Sequence, residues 1–326
     1  MAQAVRDIRR RIKAVRSTQQ ITRAMRMVAA AKLRKAQTRA VSARAYAAKL
    51  AELLGRLTTD GAGAGHALLK VRPVRRVTVL VVSADRGLAG SYNTNLFRHV
   101  ETTVAEIRRR SAELELLVVG RKGRDYFRRR GYAIAREELG VPDDDLDKLS
   151  RDFAVRLIDR FSRRETDEVV VIYSRFLSTM VQRPVEVRLL PVAAPEAAGV
   201  GGEPQAEEEE AEDEAGRGGG EDRRQLRRSG EAGDVVAADL RYVYEPNARS
   251  VYAMLLPKFV TNQLFQAFLE ARASEYAARM TAMAAATENA DDLIAKLTLE
   301  MHHARQASIT REIMELVSGA EALKEK

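Results

Sequence analysis

The chain has 326 residues, 45% of them apolar but only 5% aromatic, with no tryptophan, no cysteine and a net charge of +9. Without cysteine there is no disulfide, no thiolate metal site and no thiol redox switch, and no run of 18 apolar residues exists to cross a bilayer as a helix. Alanine- and arginine-rich composition favours long helices over a compact β fold, and the N-terminal MAQAVRDIRRRI never enters the apolar region of a secretory signal, so a cytosolic chain is expected.

The first element is a helix. From Val5, steps of three and four pass through Ile8, Ile12, Val15, Gln19, Thr22, Arg26, Ala29, Leu33, Ala36, Ala40, Ala43, Ala47, Leu50, Leu54 and Leu57 without a phase error. That pattern predicts a coiled-coil rod over residues 1–57, about 80 Å long. The rod is basic: fifteen Lys/Arg stand against Asp7 and Glu52, a balance of +13. A helical partner cannot answer all of that charge, so an acidic surface is expected around the rod. Gln19 and Thr22 interrupt the apolar stripe either because they fix the register of the helix pair or because they meet another partner.

Residues 75–192 read as a small α/β domain. Buried-strand runs at 76–84, 114–120 and 167–174 alternate with helical patterns at 93–110, 121–130 and 146–163, which implies a mostly parallel sheet with helices on its faces. RPVEVRLLPV (183–192) predicts an edge strand. The turn SADRGLAGSYN after the first strand sits where a nucleotide-binding domain holds phosphate, but its glycines fit neither G-x-G-x-x-G nor G-x-x-x-x-G-K-[ST], so it reads as a structural turn. Ser83 and Asp85 lack a histidine partner for nucleophilic catalysis. His66 falls in a flexible Gly/Ala stretch, His99 on an exposed helix face, and the adjacent His302 and His303 diverge by about 100° on a helix, poor geometry for one metal. No catalytic constellation, cofactor site or metal site is expected.

Residues 193–234 carry an acidic block followed by arginines, too polar to fold alone. They read as a disordered surface insertion, with a regulatory tether as the alternative. DLRYVYEPN (239–247) predicts a return strand within 235–246. A second coiled-coil helix is expected over 247–326, with its seam at Leu269, Ala273, Tyr276, Met280, Met283, Thr287, Ala290, Ile294, Leu297, Met301 and Ala304, and with Pro257 kinking or beginning it. Beyond Ala304 the stripe slips by one residue to Ile309, Ile313, Leu316, Ala320 and Leu323. In an antiparallel pair the longer helix must overhang, and the slip in HHARQASITREI marks where the overhang should begin. The expected fold is α/β, a long antiparallel coiled coil of the terminal helices with a central Rossmann-like α/β domain.

The segments RRIKAVRSTQQITRAMRMVAAAKLRKAQ and EYAARMTAMAAATENADDLIAKLTLEMHHARQASITREIMELVSGAEAL resemble the two ends of the gamma subunit of F-type ATP synthase. SADRGLAGSYNTNLF and YVYEPNARSVYAMLLPKFV resemble that family's first strand-turn-helix and its entry into the C-terminal helix. The resemblance implies a non-catalytic rotor shaft, peripheral to the cell membrane on its cytoplasmic side. Its implied partners are the alpha and beta subunits of F1, the epsilon subunit and the c ring, with no nucleic acid. By motif, Met25, Arg279, Arg305, Gln306 and Thr310 are implied to meet the alpha and beta subunits, and Tyr242 and Glu245 to lie near epsilon and the c ring. The insert departs from the bacterial pattern, and the cysteine pair of redox-controlled members is absent. A nucleic-acid-binding coiled coil, a membrane-surface helix and an enzyme built on the middle domain remain the alternatives from the residues alone.

Overall fold

The computed structural model describes residues 2–59, 63, 65–193, 244–245 and 247–324. Helix α1 (Ala2–Thr59) leads through a short 3-10 turn at Ala67–Leu69 to β1 (Arg76–Val82), α2 (Tyr92–Arg109), β2 (Glu113–Val119), α3 (Arg121–Arg129) and β3 (Ile134–Glu138). A second 3-10 turn at Asp143–Asp145 precedes α4 (Leu146–Ser162), β4 (Glu168–Phe176), β5 (Gln182–Leu190) and α5 (Ala248–Lys324). The expected insert beyond Ala193 lies outside the described residues, as does the expected return strand apart from Tyr244 and Glu245.

The terminal helices pair antiparallel in a single register. Thr58 bonds Tyr252, the Ala43 carbonyl accepts from Gln266, Thr22 meets Thr287 and Gln19 bonds Asp291. From the first of these pairs to the last, α1 steps back 39 residues while α5 advances 39. The buried positions on α1 (Ile12, Ala29, Leu33, Ala36, Ala43, Leu50, Leu54, Leu57) are those of the apolar stripe. One seam position differs from expectation: Arg26 is exposed and Met25 is half-buried, because steps of three and then four from Thr22 to Ala29 put an apolar residue on the seam and leave the guanidinium in water.

The sheet has order β3-β2-β1-β4-β5, with β5 the single antiparallel member. Alternate residues of each strand point to opposite faces, and both faces are covered. Leu80, Val82, Leu117, Val119, Val169, Val171 and Tyr173 pack with α4, α5 and the end of α1. Val77, Val79, Val81, Leu116, Val118, Val170 and Ile172 pack with α2 and α3. Burial on both faces is why the central strands read as unbroken apolar runs. Strand β3 gave no such signal: its IAREE is half-buried at the sheet edge, and Arg136 and Glu138 pair with each other there.

Helix α5 contains Pro257 within its span and starts nine residues before it. The start is set by Asn247, whose Oδ1 accepts the Ser250 N–H at 2.8 Å, a side-chain cap at the free end of the helix. The missing proline N–H falls where Tyr252, Leu256, Phe259 and Val260 are all buried, and that packing holds the helix through the lost bond. His66 is held in place as the cap of the first 3-10 turn: its Nδ1 accepts the Leu68 N–H, its ring meets Tyr252 edge-on, and burial lowers its pKa. His99 is half-buried rather than exposed.

Candidate functional site

In a doubly wound sheet of this strand order, ligands bind beyond the carboxyl ends of the strands where the order reverses. Here that point lies between β1 and β4, and the chain itself occupies it. The four N–H groups at the start of α3, which in such folds cradle phosphate, are all taken. Gly120 donates to the Glu138 carbonyl at 2.8 Å, Arg121 to Asp85 Oδ1 at 3.1 Å, Lys122 to the Ala84 carbonyl and Gly123 to Ser83 Oγ at 3.0 Å. Asp85 also accepts the Gly140 N–H at 2.9 Å, so its carboxylate stands where a phosphate would. Gly120, at φ 101°, allows the approach: a Cβ there would collide with the Ser83 carbonyl. Ser83 is buried and donates to the Val119 carbonyl. It staples β1 to α3 and is no nucleophile.

Helix α5 closes the rest of the crevice. Ser274 Oγ donates to the Ser174 carbonyl at 2.8 Å, and Tyr92 donates its hydroxyl to the Ala271 carbonyl at 3.2 Å. The cavity left among Ser83, Tyr92, Phe268, Arg272 and Glu275 measures about 10 Å³, room for at most one water. A ligand crevice has become a socket for a shaft.

Charged groups lock that socket. Arg272, 11% exposed, contacts Glu275 at 3.0 Å, Asp143 at 3.5 Å and Asp85 at 3.6 Å, and donates to the Val141 carbonyl at 2.8 Å. Burial alone would push its pKa down, but the carboxylates of Glu275, Asp143 and Asp85 outweigh burial and hold it above the usual arginine value. Glu275 also binds Arg279 at 2.7 Å. Arg279 is itself buried and donates to the Gly87 carbonyl. From α1, Lys32 reaches Asp143 at 3.8 Å, while Lys35 and Arg39 both bind Asp144 and depress its pKa through those hydrogen bonds. Tyr276 donates to Asp143, and burial together with that bond raises its pKa. One clamp therefore joins both helices to the loops after β1 and before α4.

The positive charge of α1 divides along its length. Lys32, Lys35, Arg39, Arg44 and Lys49 find carboxylates. Arg9, Arg11, Lys13, Arg16, Arg23 and Arg26, all exposed, have none among the described residues. Ile21, Met27 and Val28 lie among them, each more than half exposed. Past Ser308 the free end of α5 has no cover from α1, and Ile309, Ile313, Met314, Leu316 and Val317 are exposed.

The implied contact residues fall into separate places. Met25 is half-buried on the seam, and Arg305, Gln306 and Thr310 are exposed where α1 runs out. Arg279 belongs to the clamp. Glu245 is exposed at the opposite end of the rod, and Tyr242 lies outside the described residues. The sequence reading missed Asp85, Asp143, Arg272 and Glu275. A signal existed in the charged residues Arg272, Glu275 and Arg279, spaced three and four apart on one face of α5 amid an alanine-rich stretch. Among the described residues no group of His, Asp and Glu is placed to hold a metal, and no helix is long and apolar enough to cross a membrane.

A doubly wound domain whose ligand site is filled by its own helix, clamped to a two-helix rod with a bare tip, defines a mechanical stalk subunit. The chain matches the family profile described as ATP synthase over residues 4–323. It is 43% identical over 320 residues to the ATP synthase gamma chain of Pelotomaculum thermopropionicum, covering 98% of this chain and 99% of that one. Among solved structures it is similar to a chain of the Euglena gracilis mitochondrial ATP synthase rotor in rotational state 1, at TM-score 0.59 and 17% identity, covering 95% of this chain and 100% of that one. It is also similar to a chain of that enzyme's OSCP/F1/c-ring assembly in rotational state 3, at TM-score 0.60 and 16% identity, covering 99% and 95%. The chain belongs to the ATP synthase gamma-chain family. Near-complete coverage of the Pelotomaculum relative shows that a chain length spanning residues 193–234 is not peculiar to this protein.

Proposed function

We propose that the chain is the rotating central shaft of an F-type ATP synthase, coupling proton-driven rotation of a c ring to ATP synthesis and hydrolysis at the alpha and beta subunits, and performing no chemistry itself. The observation that carries this is the clamp around Arg272, set in a crevice with no room for a ligand. It ties the foot domain to both helices of the rod, so a torque applied to the foot reaches the tip. The basic upper half of α1 and the bare end of α5, with Met25, Arg305, Gln306 and Thr310, face the alpha and beta subunits. Exposed cations suit a sliding contact, since solvent-screened pairs are worth about 0–1 kcal/mol each and break readily. A shaft face that fits one beta conformation better than another shifts its nucleotide affinity, and linkage makes that coupling reciprocal. Arg279 acts from within the clamp as a positioning residue. Glu245, at the other end, and Tyr242 are assigned to epsilon and the c ring, and the shaft is then peripheral to the cell membrane on its cytoplasmic side.

Co-expression with the alpha and beta subunits of the same source tests this reading. The expected result is a complex with one copy of this chain per three of each partner, whose ATP turnover falls when Arg305 and Gln306 become alanine. Correctly folded partners that assemble without the chain would overturn it.

A further inference from the structure

The amino ends of β1, β2 and β4 lie together at one edge of the sheet, Arg76 beside Glu113 and Val77 beside Glu168. Three segments bring cations to it: Lys70 to Arg76 entering β1, Arg108 to Arg110 at the end of α2, and Arg163 and Arg164 after α4. They surround an open recess of about 840 Å³, lined in part by Lys70, Arg72, Arg75, Arg76 and Arg164. One cation at a helix end complements the helix dipole, and several here are otherwise engaged. Arg76 pairs with Glu113, Arg163 with Asp159, and Arg72 stacks on Phe161. Asp167, the acid nearest Arg75, spends one oxygen on the Arg75 and Arg76 N–H groups. Lys70, Arg75, Arg109, Arg110 and Arg164 are exposed and have no carboxylate partner among the described residues.

The same edge is where the chain leaves and re-enters the described structure. Strand β5 runs against β4, so its last residue, Leu190, lies opposite Val169 at the amino end of β4. Val192 then donates its N–H to the Leu68 carbonyl at 2.9 Å, and Lys70 follows Leu68 by two residues, about 7 Å of chain. On the return, Tyr244 packs against the core that holds Leu68 and Tyr252. Between these points, residues 203–214, EPQAEEEEAEDE, hold eight carboxylates and no cation. Glu207 stands fourteen residues past Ala193, a tether that spans at most about 50 Å. The place of exit and the length of the tether both allow this stretch to reach the edge.

We propose that in the free chain the acidic stretch 203–214 docks on this basic edge, as an internal competitor of the subunits that meet the foot. Charge complementarity carries the assignment: cations from three segments stand unanswered beside eight carboxylates of the same chain. Tethering puts those carboxylates at an effective concentration on the order of millimolar. The contact consists of solvent-screened pairs, each weak and readily broken, so it yields to a better-fitting partner. An unassembled chain thereby avoids presenting a bare basic foot to other polyanions. The proposal rests on the rotor reading in one respect, that this end receives epsilon and the c ring on assembly; the acidic stretch then gives the edge up to them.

Because the chain has no native cysteine, an introduced pair reports the contact. Disulfide formation under mild oxidation is followed in the free full-length chain for S111C/A211C, Ser111 lining the recess. The control is L88C/A211C, since Leu88 is exposed beyond the opposite edge of the sheet. The first pair should close about tenfold faster than the control, because several screened ion pairs act together. Adding R109Q/R110Q/R164Q should bring it down to the control rate, as should about 1 M salt, which shortens the Debye length to about 3 Å. Assembly with the other subunits should slow it equally. Equal rates for the two pairs, indifference to the arginine substitutions, or disulfide-linked dimers, which would make a second copy the occupant, overturn the docking. Closure as fast in the assembled complex as in the free chain overturns the competition. If the chain fails to assemble, the rotor reading falls, and the comparison in the free chain still decides the docking.

Discussion

Replacing Arg272 with methionine tests whether the clamp, rather than helix packing alone, fixes the foot to the shaft. Methionine keeps the buried stem and removes the charge. Four acceptors lose a donor: the Val141 carbonyl and the carboxylates of Glu275, Asp143 and Asp85. Removing one member of a buried ion pair costs about 3–5 kcal/mol when the other is stranded. Each carboxylate here keeps a second partner, Arg279 for Glu275, Tyr276 for Asp143 and two backbone N–H groups for Asp85. The loss should therefore sit near the low end, about 3 kcal/mol. In urea denaturation followed by circular dichroism, R272M should lower the midpoint with an unchanged slope. R272M/D85N should recover part of the loss, because Asp85 has no other cation among the described residues and its stranded charge goes with its partner. A loss under about 1 kcal/mol for R272M, or a double variant as unstable as the summed singles, would refute the clamp.

Asp85→Gly vacates the phosphate-like position, so millimolar sulfate should raise the melting temperature of D85G and leave wild type unchanged; no difference between them would show that the carboxylate does not stand in for an anion. Thr22→Val leaves Thr287 without its cross-helix partner and should cost about 1 kcal/mol, while T22V/T287V should regain it; urea midpoints of the three proteins decide. Burial raises the pKa of Glu270 against the pull of Arg175 and Arg44. The folded state then takes up this proton before the unfolded state does, so Glu270 costs stability at neutral pH. That cost is relieved as pH falls through the raised value toward 4.5. Glu270→Gln should thus be more stable relative to wild type at pH 7 than at pH 4.5, and a gap that widens on acidification would reverse the sign.

Both long helices were legible because each buries one stripe along its whole length, and the strands because both sheet faces are covered. The overhang was legible too, as a one-residue slip after Ala304, where the register of the pair brings α1 to its beginning. Other features leave no local trace. Strand β3 hides because its outward residues are an ion pair. The start of α5 was legible within a residue of Asn247, but that the helix runs through Pro257 was not, because the packing that holds it there comes from other elements. The clamp joins Lys32, Asp85, Asp143 and Arg272, which are scattered along the chain, and no periodicity connects them. SADRGLAG read correctly as a turn without a phosphate fingerprint. Only the three-dimensional arrangement shows why, since Asp85 and Ser83 consume the N–H groups a phosphate would need.

Rotation itself is the most direct measurement. The chain has no cysteine, so Arg98→Cys on the exposed side of α2 gives a single attachment point for a bead on the foot domain. With the alpha and beta subunits fixed to a surface and ATP supplied, the bead should turn in one direction and dwell three times per turn. A complex that hydrolyses ATP while its bead shows no net rotation would contradict the account.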